Sequence, residues 1–179
     1  MLKSPRNKEG RIVTITYKDM PHMKPVPMET KSKGFFGGIV LWLFTTRKWC
    51  ITEDWKFSLQ MGGQKTVTSY LIPKGFIFDG ASVPKFARSW LSPMGVLLSG
   101  GLVHDYVYKF ETLRLTGKKP KAMPKKDQKW ADQLFRDICC DVNGFKVLNH
   151  IAYYALRLGG FMAWRKHRKV NAQWDDGLK

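Results

Sequence analysis

The strongest constraint in this sequence is a change in the spacing of its apolar residues near Pro84. Upstream they come in short runs, rich in β-branched residues and cut by proline and glycine, which is the pattern of strands and turns. Residues 11–18 (Arg-Ile-Val-Thr-Ile-Thr-Tyr-Lys) read as a strand, and Pro21, Pro25 and Pro27 break the chain that follows. Residues 49–59 and 66–72 read as two strands of a hairpin around Met61-Gly62-Gly63-Gln64. From Ile72 to Pro84, the punctuation by Pro73, Gly75, Gly80 and Pro84 dictates a turning path, with a tight turn available at Asp79-Gly80. Downstream, apolar residues recur at helical intervals. Ser92-Pro93 supplies a hydroxyl N-cap and a first-turn proline for a helix expected over 93–115 and stopped at Gly117. A second helix is expected over 124–141, with Trp130, Ala131, Leu134, Phe135 and Ile138 on its apolar side. A third is expected over 145–163, with Val147, Ile151, Tyr154, Leu158 and Met162 at helical spacing. Gly100-Gly101 inside the first helix costs about 1 kcal/mol per glycine relative to alanine, so another element should pack closely there. The order predicts an α+β fold: a small antiparallel β layer followed by three packed helices, in one domain over 1–179 with loose ends at 1–10 and 170–179.

Gly34-Phe35-Phe36-Gly37-Gly38 opens the most hydrophobic window, which reads as a buried strand or helical turn, or else as an apolar loop that touches a membrane or partner. It stops at Arg47-Lys48, short of the roughly 20 apolar residues that cross a bilayer, so no transmembrane helix is expected. The polar, basic start has no apolar core of a signal peptide. Three cysteines, Cys50, Cys139 and Cys140, show neither a disulfide framework nor zinc-ligand spacing, and a reducing cytosol is the default compartment. Charge is the unusual quantity: 31 Lys and Arg against 14 Asp and Glu, a formal +17. Such an excess attracts polyanions or anionic membrane surfaces and says nothing about fold. Its densest clusters are Lys118, Lys119 and Lys121 in a basic loop, and Arg165, Lys166, Arg168 and Lys169 after the third apolar pattern. These read as solvated faces or as phosphate and headgroup contacts. No nucleotide or nucleic-acid motif accompanies them, so nucleic-acid binding is expected from charge alone.

The chemistry concentrates in Gly101-Leu102-Val103-His104-Asp105-Tyr106-Val107-Tyr108. On a helix, His104 and Tyr108 share a face, and Asp105 points about 100° round from His104. A histidine whose ring is held by a carboxylate can act as a general base. An aspartate is a hard oxygen ligand suited to Ca²⁺, which also accepts backbone carbonyls from a glycine-containing loop. The parts are His104 as base, Asp132 on the next helix as its partner, Asp105 as metal ligand, and Asp79-Gly80-Ala81-Ser82 as the loop. The bland alternative is a partly buried histidine bonded to Asp132 for structure, with Tyr108 in the core and Asp79 as a turn residue.

Two resemblances follow from these motifs. His104-Asp105-x-x-Tyr108 with Ala131-Asp132-x-x-Phe135 is similar to the active-site helix pair of phospholipases A2, especially the disulfide-free parvovirus type. That resemblance implies His104 as the water-activating base, Asp105 as the Ca²⁺ ligand and Asp132 as the residue that orients the histidine. The family's glycine-rich calcium loop has no clear copy; residues 79–84 lie at a similar distance upstream with different residues. More of the chain, about 50–163, is covered by an ordered set: Ile-Pro-Lys-Gly-Phe-x-x-Asp-Gly-Ala-Ser-Val-Pro, Gly-x-x-His-Asp-x-x-Tyr, Ala-Asp-x-x-Phe and Tyr-Tyr-Ala-Leu-Arg-Leu-Gly-Gly. This set resembles the phage and prophage family called domain of unknown function 1353, and it implies a bacteriophage protein made in the host cytoplasm. The expected function is a Ca²⁺-dependent hydrolase of phospholipid esters at an anionic membrane surface. The alternatives are a non-catalytic virion or assembly protein with virion proteins as partners, and a nucleic-acid-binding protein.

Overall fold

Alternation along one strand organises the β layer. In Trp55–Met61 the side chains of Trp55, Phe57 and Leu59 are buried while Lys56 is exposed, the two-residue period of a strand with one face on the core. The computed structural model describes residues 12–27, 48–62, 65–78, 97–117 and 121–171. Outside these residues fall the 34–44 apolar window, the Ser92-Pro93 helix start, Asp79, Gly80 and Ser82, Lys118 and Lys119, and the segments 1–10 and 172–179.

Five strands form an antiparallel sheet in the order β1-β4-β5-β7-β8: β1 (Ile12–Tyr17), β4 (Trp55–Met61), β5 (Val67–Ile72), β7 (Arg114–Leu115) and β8 (Lys121–Ala122). The expected hairpin is β4–β5, with Trp55 opposite Ile72 and Phe57 opposite Tyr70. The expected single strand over 49–59 is two strands. Trp49–Ile51 (β3) joins a second sheet between β2 (Met23–Pro25) and β6 (Ile77–Phe78), and the chain turns at Thr52-Glu53-Asp54 before β4. The Asp54 carboxylate accepts the Lys74 N–H at 2.8 Å and helps to hold this turn. Pro25 sits in an edge strand, where its missing N–H costs no ladder bond.

The three helices are α1 (Leu98–Phe110), α2 (Gln128–Asn143) and α3 (Lys146–Asn171). α1 ends five residues before the expected 115, and Arg114–Leu115 pairs with β5 instead. The helix stops at Glu111, which is left-handed (φ 60) with its N–H on the Val107 carbonyl. A non-glycine residue there costs on the order of 1–2 kcal/mol. It is held by ion pairs from the Glu111 carboxylate to Arg168 (2.8 Å) and Lys125 (3.0 Å). Arg168 also donates to the last α1 carbonyls, on Tyr108 and Lys109, so a cation from α3 caps the negative end of α1. α2 starts at 128 rather than 124, because the Asp127 side chain accepts the Trp130 N–H at 2.8 Å and sets the N-cap. α3 runs on to Asn171, past the expected 163.

The core joins Trp55, Phe57, Leu59, Tyr70 and Ile72 of the sheet to Leu102, Val103, Tyr106 and Val107 of α1 and to Leu134 and Ile138 of α2. The sheet is also tied to α2 by a hydrogen bond from the Ile15 N–H to the Asp141 carboxylate at 2.9 Å. The close approach expected at Gly100-Gly101 is made at Gly100, where an added Cβ would meet the Cys139 sulfur and lie 3.1 Å from the Phe135 carbonyl oxygen of α2. All three cysteines are free thiols.

Gly100 and Gly159 lie in helices with opposite surroundings, since nothing lies within 4 Å of a Cβ built on Gly159. Gly159→Ala should therefore raise stability by up to about 1 kcal/mol through helix propensity. Gly100→Ala should lower it despite the same propensity gain, because backbone of α2 must move away. Thermal or denaturant melts of the two variants check the opposite signs.

Candidate functional site

The candidate site lies where the three helices meet. His104 and Tyr108 stack one turn apart on α1, with ring centroids 4.0 Å apart. Phe135 of α2 meets the His104 ring edge-on at 5.7 Å. His104 Nε2 is 3.0 Å from Asp132 Oδ1, the shorter of the ring's two carboxylate contacts, which favours the proton on Nε2 when the ring is neutral. Tyr108 donates to the same oxygen at 2.6 Å and receives a hydrogen bond from Gln128 Nε2 at 3.1 Å. The other oxygen of Asp132 accepts from Arg157 Nη1 of α3 at 2.7 Å. His104 is 1% exposed and Asp132 0%. A carboxylate that far from water needs such partners, because burying it unpaired costs several kcal/mol.

Asp105 occupies the other side of the ring. Its Oδ1 lies 3.4 Å from His104 Nδ1, and its Oδ2 is a buried oxygen without a hydrogen-bond partner among the described residues. Burial by itself pushes the His104 pKa down, but the hydrogen bonds and charges of Asp105 and Asp132 outweigh it, and the ring titrates above its ordinary value. Burial also raises the Tyr108 phenol, helped by the Asp132 charge, so Tyr108 acts as a donor and not as a phenolate. His167 of α3 titrates below its ordinary value through burial and the charges of Arg168 and Lys109, with Asp105 pulling weakly the other way.

The sequence-derived residues His104, Asp105, Tyr108 and Asp132 thus come together. The loop residues Asp79, Gly80 and Ser82 fall outside the described residues. Ca²⁺ takes six to eight oxygens. Asp105 Oδ2 is one open oxygen, and among the described residues no group of three or more His, Cys, Asp or Glu is placed to hold a metal. The described residues do not by themselves make a calcium site. Of the basic residues, Lys121, Arg165, Lys166 and Lys169 are exposed, whereas Arg168 is turned inward to α1. Clefts lined by Asp19, His22 and Glu53, or by Tyr17, Phe57 and Ser69, open on the sheet side, and neither includes His104.

Two contributors escaped the sequence reading: Arg157 and Gly160. A Cβ at Gly160 would collide with the Tyr108 hydroxyl, so this glycine lets α3 cross directly over the tyrosine. The signal was present in Tyr153-Tyr154-Ala155-Leu156-Arg157-Leu158-Gly159-Gly160, where a cation and a small residue recur at three-residue spacing on one side of a helix.

The family model described as "Protein of unknown function (DUF1353)" matches residues 49–156, more than half of the chain. The chain belongs to this family. The matched span holds His104, Asp105, Tyr108 and Asp132 and ends one residue before Arg157. No curated protein and no solved structure matches the chain.

Because its folded pKa is raised, protonation of His104 adds stability that is complete below the unfolded value of about 6.5 and is lost as pH rises through the folded pKa. In Asp132→Asn the His104 titration, followed by NMR, should move to lower pH, and that contribution to stability should shrink. Breaking the buried cluster in this way should cost about 3–5 kcal/mol in chemical denaturation.

Proposed function

We propose that this chain is a phage-encoded hydrolase of phospholipid esters, with His104 as general base and Asp132 as the residue that orients it. One observation carries the reading: Nε2 is engaged by Asp132 at 3.0 Å, while Nδ1 has a long 3.4 Å contact to Asp105 and remains the nitrogen able to take a proton. In the reaction, Nδ1 of the neutral ring removes a proton from water and the hydroxide adds to the ester carbonyl carbon. Collapse of the tetrahedral adduct breaks the carbonyl carbon–oxygen bond, and the imidazolium returns the proton to the departing alkoxide. Asp132 stabilises the imidazolium and fixes its orientation, while Tyr108 and Arg157 keep that carboxylate in place. Asp105, with its open Oδ2, is the residue proposed to face Ca²⁺, and no step is assigned to the metal.

A second reading is favoured by a different observation. Both oxygens of Asp132 are fully engaged by His104, Tyr108 and Arg157, and His104 is 1% exposed, which suits a brace in a virion or assembly protein. Under that reading the cluster contributes stability and no turnover.

A pH profile separates base chemistry from bracing. Hydrolysis of phospholipid esters with Ca²⁺ present should rise with pH as the His104 ring loses its proton, and that limb should be absent from His104→Asn. His104→Asn should lower the rate by about 10²–10⁴, and Asp105→Ala should remove the Ca²⁺ dependence. If both variants lose only thermal stability, or the wild-type chain hydrolyses no lipid, the protein is a structural component.

A further inference from the structure

α3 carries two apolar stripes, and one of them is exposed. Asn149, Ala152, Leu156 and Gly160 are buried against the rest of the protein, so the inward face of the helix is accounted for. The outward face presents Val147 (76% exposed), Ile151 (58%), Tyr154 (61%), Leu158 (80%) and Met162 (68%). At about 100° per residue these side chains fall within one band about 80° wide, and at about 1.5 Å per residue the band is about 22 Å long. Contiguous apolar surface of this kind marks an interaction site.

The charges on the helix choose among occupants. From Lys146 to Asn171 the sequence has no Asp or Glu, and Arg165 and Lys169 continue the apolar band in the same direction, with Lys166 beside them, all three exposed. A second copy of the chain fits poorly. Two such helices would bring like charges together in a protein already at +17, with no acidic residue beside the seam to form the cross-helix pairs of a coiled coil. No described helix is long and apolar enough to cross a bilayer. An apolar band closed at one end by cations is the composition of a helix that lies in a membrane interface, with its band among the acyl chains and its cations on lipid phosphates.

We infer that the exposed band Val147–Ile151–Tyr154–Leu158–Met162 of α3, with Arg165, Lys166 and Lys169, docks the protein on an anionic phospholipid surface. The inference deepens the hydrolase reading by naming the surface on which the ester lies. It also ties docking to the site: Arg157, which holds Asp132, precedes Leu158 on the same helix.

Docking is measured by co-sedimentation of the full chain with vesicles of ether-linked lipids, which contain no cleavable ester, so a failure of docking and a failure of hydrolysis are seen separately. Vesicles of equal parts phosphatidylglycerol and phosphatidylcholine should bind at least tenfold more protein than phosphatidylcholine alone. Leu158→Ser with Met162→Ser should weaken that binding at least tenfold. Lys166→Glu with Lys169→Glu should weaken it by more than about twentyfold, at roughly fivefold per basic charge lost. These side chains are exposed, and unchanged melting temperatures will show the variants folded. Equal binding to both vesicle types, no binding, or full binding by the serine variant would overturn the inference. So would a dimer in sedimentation equilibrium that Leu158→Ser dissociates, since a second copy would then own the band.

Discussion

The three helices depend on how one buried carboxylate is satisfied. Asp132 lies on α2, but its donors come from elsewhere: His104 and Tyr108 from α1 and Arg157 from α3. A carboxylate at 0% exposure loses hydration worth several kcal/mol, which these charged and short hydrogen bonds offset only when all three helices are docked. The cluster therefore discriminates between the native helix arrangement and near alternatives more than it adds net stability. Gly160 makes the arrangement possible, because any side chain there would push α3 off the Tyr108 hydroxyl.

Around this cluster the layers divide the work. α1 is buried along most of its length, with Leu102, Val103, Tyr106 and Val107 in the core and His104 and Tyr108 on the cluster. A helix enclosed on several sides has little need of a polar stripe. α2 links the layers, since Asp132 belongs to the cluster while Asp141 accepts from the β1 backbone. α3 is the outer layer. It reaches inward with Arg157 and Arg168 and outward with an apolar band, so one helix closes the site, caps α1 and offers a surface.

The same cluster accommodates catalysis and bracing because its charges nearly balance. Two carboxylates, on Asp105 and Asp132, stand against the Arg157 guanidinium and a ring whose pKa is raised. In the protonated state both ring N–H groups face carboxylates, Nε2 at 3.0 Å from Asp132 and Nδ1 at 3.4 Å from Asp105. Neutral, the ring leaves Nδ1 facing Asp105 without a proton, which is the state the proposed hydrolase would use. In the proposed hydrolase, base chemistry and stability would draw on the same proton in opposite directions.

Much of this was legible in local sequence. The break in apolar spacing near Pro84 separates strands from helices, and His104, Asp105, Tyr108 and Asp132 lie at spacings that put them on facing helices. Local pattern could not place Arg114–Leu115 in a strand, since α1 stops where Arg168, distant in sequence, meets its last carbonyls. Nor could it recruit Arg157, a basic residue on a basic helix until α3 crosses Asp132. The clearest case is the third apolar pattern. Val147, Ile151, Tyr154, Leu158 and Met162 have the periodicity of a core face, yet that face points to solvent. Periodicity fixes which residues share a side of a helix; which side turns inward depends on what the remainder of the chain brings to it. Here that was a buried aspartate, a tyrosine hydroxyl and the end of α1, and they drew in the opposite side.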